Sequence, residues 1–327
     1  GIESLAVAER PEPEPGKGEV KIRMKASSLN FRDFLMVQGL YNPRQPLPII
    51  PCSDGVGEVV EIGEGVSRVR VGDRVAGCFF QGWPSGEPTA EKAVTTLGSP
   101  LDGMLAEYRV LDEQGVVHVP GHLSDEQAAT LPCAALTAWS ALVTYGGRKA
   151  GDTILVQGTG GVSLFGLQIG KMIGARVVVT SSSNEKLDRA AQMGADHGIN
   201  YRETPKWGKA AREWAEGIGV DHVIEVGGAG TLQESLQAVR IGGEISMIGV
   251  LSGGAKELSI LPILMKNIRV QGIFVGHRES FEAMNRAMAQ HKLVPVVDRV
   301  FPFQEVKQAL RVMERGEHFG KICLSFQ

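Results

Sequence analysis

Thr153-Ile154-Leu155-Val156-Gln157-Gly158-Thr159-Gly160-Gly161-Val162-Ser163 carries the strongest structural signal in the chain. An apolar run meets a glycine turn, and the turn opens an amphipathic segment: strand, turn, helix. In such a turn the first glycine makes the bend and the second lets the backbone approach a pyrophosphate. The helix N-terminus adds free N–H donors and the positive end of its dipole. Ser163 stands where the G-x-G-x-x-G pattern has its third glycine, so the stretch alone also fits an ordinary tight turn between a strand and a helix.

The residues that follow repeat the same unit. Strand 153–157 leads to helix 162–173, strand 176–180 to helix 184–193, and strand 221–226 to helix 231–239. Strands 243–249 and 268–275 and a helix over 280–290 complete the series. Alternation at this spacing predicts an α/β fold, a Rossmann-type doubly wound parallel sheet. Upstream, the period is different. Residues 18–26 alternate polar and apolar, and 56–60, 68–75, 105–110 and 115–119 read as further short strands punctuated by glycines, so the first domain is predicted to be β-rich. Residues 78–103, rich in Gly, Pro, Ser and Thr, read as a long surface loop. Ser124 with Gln127 makes a capping box that starts an Ala-rich helix through Tyr145. The tail reads as strand 298–303, a helix to Arg315, and strand 321–325. The predicted domains are 1–123 with 294–327, and 124–293.

A chain of 327 residues fits two domains, and 43% apolar with 22% charged residues fits a globular protein. The 34 basic and 37 acidic residues leave a net charge of −3 without a strong block of either sign, which argues against nucleic acid or an anionic membrane surface as the main partner. No apolar run approaches the ~20 residues of a membrane span. Residues 1–15 lack the basic, apolar and cleavage regions of a secretory leader, so a cytoplasmic protein is expected. Cys52, Cys78, Cys133 and Cys323 are scattered, with no C-x-x-C pair. That spacing argues against a structural Cys₄ zinc site and a disulfide framework, and favours reduced thiols.

The end of the second βα strand speaks to the cofactor. Where NAD-binding units place an acid for the ribose hydroxyls, Val177-Val178-Val179 runs into Thr180-Ser181-Ser182-Ser183-Asn184-Glu185-Lys186. Hydroxyls and an ammonium suit a 2′-phosphate that a carboxylate would repel, so NADP(H) is favoured over NAD(H). Ser183 also suits a helix N-cap, and the two roles are compatible.

These features, with Ala26-Ser27-Ser28-Leu29-Asn30-Phe31-Arg32-Asp33, Pro51-Cys52-Ser53-Asp54-Gly55-Val56-Gly57-Glu58-Val59, Val71-Gly72-Asp73-Arg74-Val75, Leu131-Pro132-Cys133-Ala134-Ala135-Leu136-Thr137-Ala138-Trp139 and Gly194-Ala195-Asp196, resemble the medium-chain dehydrogenase/reductase superfamily along nearly the whole chain. The likeness is greatest to its zinc-independent, quinone-oxidoreductase-like branch. It implies a GroES-like catalytic domain beside the Rossmann domain. Zinc-dependent members carry a Cys ligand at the position of Asn30 and a His at that of Ser53. Only Cys133 coincides with a ligand, and a catalytic zinc takes about three, so no metal is expected.

The resemblance places Asn30 and Tyr41 beside the nicotinamide and the substrate. Tyr41 is the better proton donor, and Asn30 holds either a carboxamide, a ribose or a substrate carbonyl. Arg32 and Asp33 are expected to form a local ion pair. The cofactor residues it implies are Thr137; Gly158, Gly160, Gly161 and Val162 at the pyrophosphate; and Ser182, Ser183, Lys186 and Tyr201 around the 2′-phosphate. Val226, Gly227, Gly249 and Val250 end later strands, Phe274 and Val275 read the carboxamide, and Lys321 closes over the cofactor or sits in a solvated turn. The function implied is NADPH-dependent hydride transfer to a quinone or α,β-unsaturated carbonyl. Enoyl-thioester reduction and alcohol dehydrogenase-like activity are the alternatives, and a non-enzymatic NADPH-binding role is a third class. A homodimer is expected through an edge strand at 268–276.

Overall fold

The computed structural model describes residues 1–252 and 259–326. Two compact units divide the chain: Gly1–Leu136 with Gly276–Gln327, and Thr137–Val275. Both boundaries differ from those expected at 123/124 and 293/294. The helix Arg278–His291 has the period of one more βα unit, yet it buries Phe281, Met284 and Met288 within the first unit. Asn285 Nδ2 donates to the His118 carbonyl at 2.8 Å, and Arg278 N donates to the Trp83 carbonyl at 3.1 Å.

The first unit contains β1 (Glu19–Ser28), β2 (Asp54–Ile62), β3 (Arg74–Gly77), β4 (Tyr108–Asp112), β5 (Val116–His118) and, from the C-terminal segment, β12 (Val297–Pro302) and β13 (Lys321–Ser325). The second contains β6 (Thr153–Gln157), β7 (Arg176–Ser181), β8 (His197–Asn200), β9 (Val220–Glu225), β10 (Val239–Met247) and β11 (Arg269–Gly272). In the first unit the sheet order is β12-β13-β1-β2-β3-β5, with β4 also paired to β1. All pairs there are antiparallel except β12 with β13. Val20, Ile22 and Met24 of β1 pack with Val59, Val75, Leu97 and Met104 in its core. The register Ser28↔Asp54 and Ser28↔Cys323 sets the start of β2 and the middle of β13 beside the end of β1.

The second unit is a parallel sheet of order β11-β10-β9-β6-β7-β8. Ile154, Leu155, Val156, Val177, Val178, Val179, Val223, Ile224 and Ile245 are fully buried. Such unbroken apolar runs belong to parallel strands covered on both faces, and each side chain contributes about 1.5–3 kcal/mol on burial.

Four sequence expectations change. Residues 78–103 are a surface loop only in part: 84–91 are exposed, but Phe79, Phe80, Trp83 and Leu97 are buried. Phe80 meets Phe79 and Trp83 edge-on at 5.0 and 5.3 Å, so aromatics spaced among Gly, Pro and Ser build a local core. The helix after Ser124 keeps its capping box but continues as π-helical turns at Leu131–Ala135 and Ser140–Thr144 around Leu136–Trp139. The strand expected at 268–275 shortens to β11, although it does lie at the sheet edge. Finally, β8 and the helix Trp207–Trp214 fill a segment without a predicted element. The strand is four residues long, and its His197 ring stacks on Trp214 at 5.3 Å, a pairing without a local sequence period.

Candidate active site

In the first unit, β1 ends at Ser28 and the chain turns into the helix Phe31–Val37, with Asn30 at its N-cap. Asp33 Oδ2 accepts from Asn30 N at 2.8 Å and Oδ1 from Ser53 N at 3.3 Å. Cys52, held at φ 68°, reverses the chain just before Ser53. That left-handed conformation is uncommon outside glycine. Asn30, Asp33, Ser53 and Asp54 are thereby gathered in one interior corner, all buried. Lys321, the first residue of β13, joins them and is only 4% exposed. Its Nζ donates to the Leu29 carbonyl at 2.5 Å and to Asn30 Oδ1 at 2.6 Å. The solvated turn considered for Lys321 is therefore excluded.

The chain of contacts continues through the carboxylates. Asn30 Nδ2 lies 3.3 Å from Ser53 Oγ, and Ser53 Oγ donates to Asp54 Oδ1 at 2.9 Å. Cys133 N donates to Asp54 Oδ2 at 3.3 Å. Burial raises the Asp33 carboxyl to about 6, with the neighbouring Arg32 cation pulling the other way. Burial also raises Asp54, opposed mainly by Lys321. The Cys52 and Cys133 thiols are pushed far up by burial, away from the thiolate form.

Arg32 pairs with Asp33 at 4.0 Å and has further partners. Its guanidinium donates to the Leu97 and Ser99 carbonyls at 2.8 and 3.3 Å. It is also sandwiched between the rings of Tyr41 and Phe79, 4.9 and 4.8 Å from their centroids. The expected ion pair is thus one part of a larger clamp, in which carbonyls and aromatic faces satisfy the rest of the planar cation. Tyr41 itself remains 47% exposed.

The donor set at the superfamily's zinc position is an amide, a hydroxyl and a protonated thiol. An ammonium already occupies the amide oxygen. Such a set does not fit a divalent cation, which needs anionic or neutral donors with free lone pairs. Among the described residues, no group of three or more His, Cys, Asp or Glu side chains is placed to hold a metal ion.

In the second unit, the glycine turn has the geometry a phosphate cradle requires. Gly158 adopts φ 73°, and Gly160 caps the helix Gly161–Met172 with open space where a Cβ would stand. Ser163 compensates for the missing third glycine: it is buried, and its Oγ donates to the Gln157 carbonyl at 2.5 Å, closing the helix onto β6. Val162, in the first turn, is half-buried.

At the end of β7, Ser183 is the N-cap of the helix Asn184–Gln192 and accepts from Lys186 N at 3.3 Å. Ser182, Ser183 and Lys186 are half-buried. The register Ser181↔Asn200 brings Tyr201 to the same corner, where its N–H donates to the Ser181 carbonyl at 3.0 Å.

Glu225 and Gln157 organise the turns at this end of the sheet, and the sequence reading missed both. Glu225 is fully buried at the end of β9. Its Oε1 accepts from Gly227 N, Gly228 N and Thr231 Oγ1 at 2.9, 2.8 and 2.5 Å. Its Oε2 accepts from Gln157 Nε2 at 2.6 Å and from Ser235 Oγ. Gln157 Oε1 accepts from Val226 N and Gly227 N, both at 3.2 Å, and so ties the turn after β9 to the turn after β6. The next turn adjoins: a Cβ on Gly249 would lie 2.2 Å from the Val226 carbonyl, and Ser252 Oγ donates to the Gly227 carbonyl at 2.6 Å. Gly158, Gly160, Gly161, Val226, Gly227 and Gly249 therefore line one end of the sheet, with exposed Val250 beyond them. A signal for Glu225 did exist: an acid ending the apolar run Val223-Ile224 needs buried partners. Phe274 is exposed, and Val275 is held at φ 48°, an outlier for a β-branched residue. Thr137 is buried on the helix Leu136–Trp139.

A six-stranded parallel sheet with this cradle, in a chain that also holds a unit of the Asn30 type, defines a nicotinamide-dependent oxidoreductase class. Comparison with known proteins agrees. Residues 16–121 match the alcohol dehydrogenase GroES-like domain family, and residues 161–290 the zinc-binding dehydrogenase family. The chain belongs to the medium-chain dehydrogenase/reductase superfamily. A zinc-type alcohol dehydrogenase-like protein of Schizosaccharomyces pombe is 42% identical over 99% of this chain and 96% of its own. An acryloyl-coenzyme A reductase of Metallosphaera sedula is 32% identical over 98% and 96%. Among solved structures, an NAD-dependent alcohol dehydrogenase superposes with TM-score 0.91 at 34% identity, covering 100% of this chain and 97% of its own. A mycobacterial protein complexed with NADPH gives 0.83 at 26%, covering 99% and 96%.

Proposed function

We propose that this protein is an NADPH-dependent reductase of quinones or α,β-unsaturated carbonyl compounds that works without a catalytic zinc. The observation that carries the reading is the Lys321 ammonium 2.6 Å from Asn30 Oδ1. A cation already within hydrogen-bonding distance of the oxygen that would have to bind a metal disfavours a second cation there. Without a metal to ionise an alcohol, the site polarises its acceptor by hydrogen bonding. One such donor is worth about 2.7–4 kcal/mol in the transition state, enough for an electron-poor acceptor and little for a simple alcohol.

NADPH, when bound, supplies a hydride, and the acceptor takes that hydride together with one proton. Asn30 donates an N–H to the acceptor carbonyl, and Tyr41, exposed and braced by Arg32, delivers the proton from its phenol. Gly158, Gly160, Gly161 and Val162 hold the pyrophosphate against the helix N-terminus. Ser182, Ser183, Lys186 and Tyr201 take the 2′-phosphate. Val226, Gly227, Gly249, Val250, Phe274, Val275 and Thr137 line the rest of the dinucleotide. Enoyl-thioester reduction is the second reading, favoured by the likeness to acryloyl-coenzyme A reductase. A cytosolic setting belongs to the same proposal, since four free cysteines suit a reducing compartment. So does a homodimer through β11: Val270 on that edge and Leu264 and Met265 just before it are exposed apolar side chains.

The test is nucleotide oxidation by chelator-treated protein, with NADPH against NADH and with benzoquinone, an enone and a medium-chain enoyl thioester as acceptors. NADPH-driven turnover of quinone or enone that survives chelation is expected. Preference for the thioester would move the assignment to enoyl reduction. Activity that requires added zinc would overturn the metal-free reading, and preference for NADH would overturn the cofactor.

A further inference from the structure

We infer that Lys321 is a positioning residue, whose ammonium fixes the Asn30 amide so that it presents an N–H, and not its carbonyl, to the acceptor. An ammonium has three donors and no acceptor. The Asn30 atom 2.6 Å from Nζ is therefore the oxygen, and the orientation of the amide follows from chemistry rather than from assignment. The opposite side of the amide imposes the same direction. The Ser53 hydroxyl donates its single proton to Asp54 Oδ1 at 2.9 Å and accepts from Asn30 Nδ2 at 3.3 Å. Lys321, Asn30, Ser53 and Asp54 thus form a relay of fixed polarity. The two Nδ2 hydrogens face Ser53 Oγ and the Asp54 carboxylate, which also draws on the Asn30 side chain, so an acceptor carbonyl takes its N–H in exchange for the Asp54 contact. Turning the amide over would face Nδ2 with the ammonium and offer the acceptor carbonyl another carbonyl.

The cation's place in the interior supports the same role. Lys321 is 4% exposed, two of its donors are spent on Leu29 and Asn30, and its charge lies among those of Asp33 and Asp54. A lysine serving mainly as a phosphate clamp would keep its head group and its charge available. The role assigned here rests on the proposed reading of Asn30 as the carbonyl donor.

The test is a double-mutant cycle. Lys321→Met and Asn30→Ala are each expected to lower kcat toward the preferred acceptor by about 10- to 100-fold at saturating NADPH. The double variant should be no worse than the poorer single within about 3-fold, because both remove one interaction. The NADPH Kd, read by fluorescence titration, should shift by less than about 3-fold. Removing a buried cation can prevent folding, so Asn30→Asp provides a second variant: it keeps the partner of Lys321 but has no N–H, and should fold and lose about 100-fold in kcat. Multiplicative losses in the double variant, a Lys321→Met defect that vanishes at saturating NADPH, or an active Asn30→Asp enzyme would each overturn the inference. If the wild type turns over none of the acceptors, the proposed function fails. The Lys321–Asn30 contact is then judged from the same cycle on urea unfolding midpoints, where non-additivity upholds it and additivity overturns it.

Discussion

Asn30 and Tyr41 are distinguished by their surroundings more than by their identity. Asn30 is locked on both sides inside a buried relay, whereas Tyr41 is an exposed ring fixed on one face by Arg32. Replacing Tyr41 with Phe keeps the ring on the guanidinium and removes only the phenolic proton. The expected result is a fall in kcat of about 10²-fold with the NADPH Kd unchanged and a smaller solvent isotope effect, read by steady-state kinetics in H₂O and D₂O. Arg32→Leu should raise the acceptor KM, because Tyr41 and residues 97–99 lose their common anchor. The identities of these residues could be read from the chain, and the roles proposed for them rest on the family likeness. The pairing of Lys321 with Asn30 could not be read, since 291 positions separate them.

At the level of elements, the second unit is organised by the turns that end its strands. A single buried carboxylate, Glu225, receives five hydrogen bonds from the turn after β9, from Gln157 and from Ser235. Glu225→Gln keeps the shape but replaces one oxygen by a donor facing donors. It should cost about 1–3 kcal/mol in stability, with an NADPH KM raised about 10-fold and kcat changed much less, as chemical denaturation and initial rates would measure. A loss of kcat at saturating NADPH would place Glu225 elsewhere in the reaction. The βα strands and helices were legible because apolar periods of 2 and 3.6 are local. The buried part of 78–103 was misread for the opposite reason: Phe79, Phe80 and Trp83 pack on one another through folds of the chain that no period announces.

Across the whole molecule, two buried groups give stability opposite dependences on pH. Burial raises Asp33 from 3.8 to about 6. Between those values the folded chain keeps a proton that the unfolded chain releases, so stability falls as pH rises, by an amount of the order of 3 kcal/mol. His222, fully buried with Nε2 3.0 Å from Ser246 Oγ, is lowered from 6.5 to about 3. It refuses a proton that the unfolded chain accepts, so it costs stability as pH falls below about 6.5. Asp33→Asn should therefore lose stability more steeply than wild type from pH 6 to 4, and His222→Gln less steeply, in urea midpoints across that range. Val270→Asp at the β11 edge should convert a dimer to monomers by light scattering if that edge is the interface. The two-domain α/β architecture and the phosphate turn are properties of short-range pattern, in which each residue reports on neighbours one or two turns away. The family likeness added which ligand positions of its zinc-dependent members are changed here. Only the tertiary structure decided what replaced them: a buried ammonium, two carboxylates and an oriented amide, brought from residues 30, 33, 54 and 321 by the pairing of β1 with β2 and β13. Hydrogen bonds have direction and burial has a cost, and neither can be assigned until the partners stand within 3 Å.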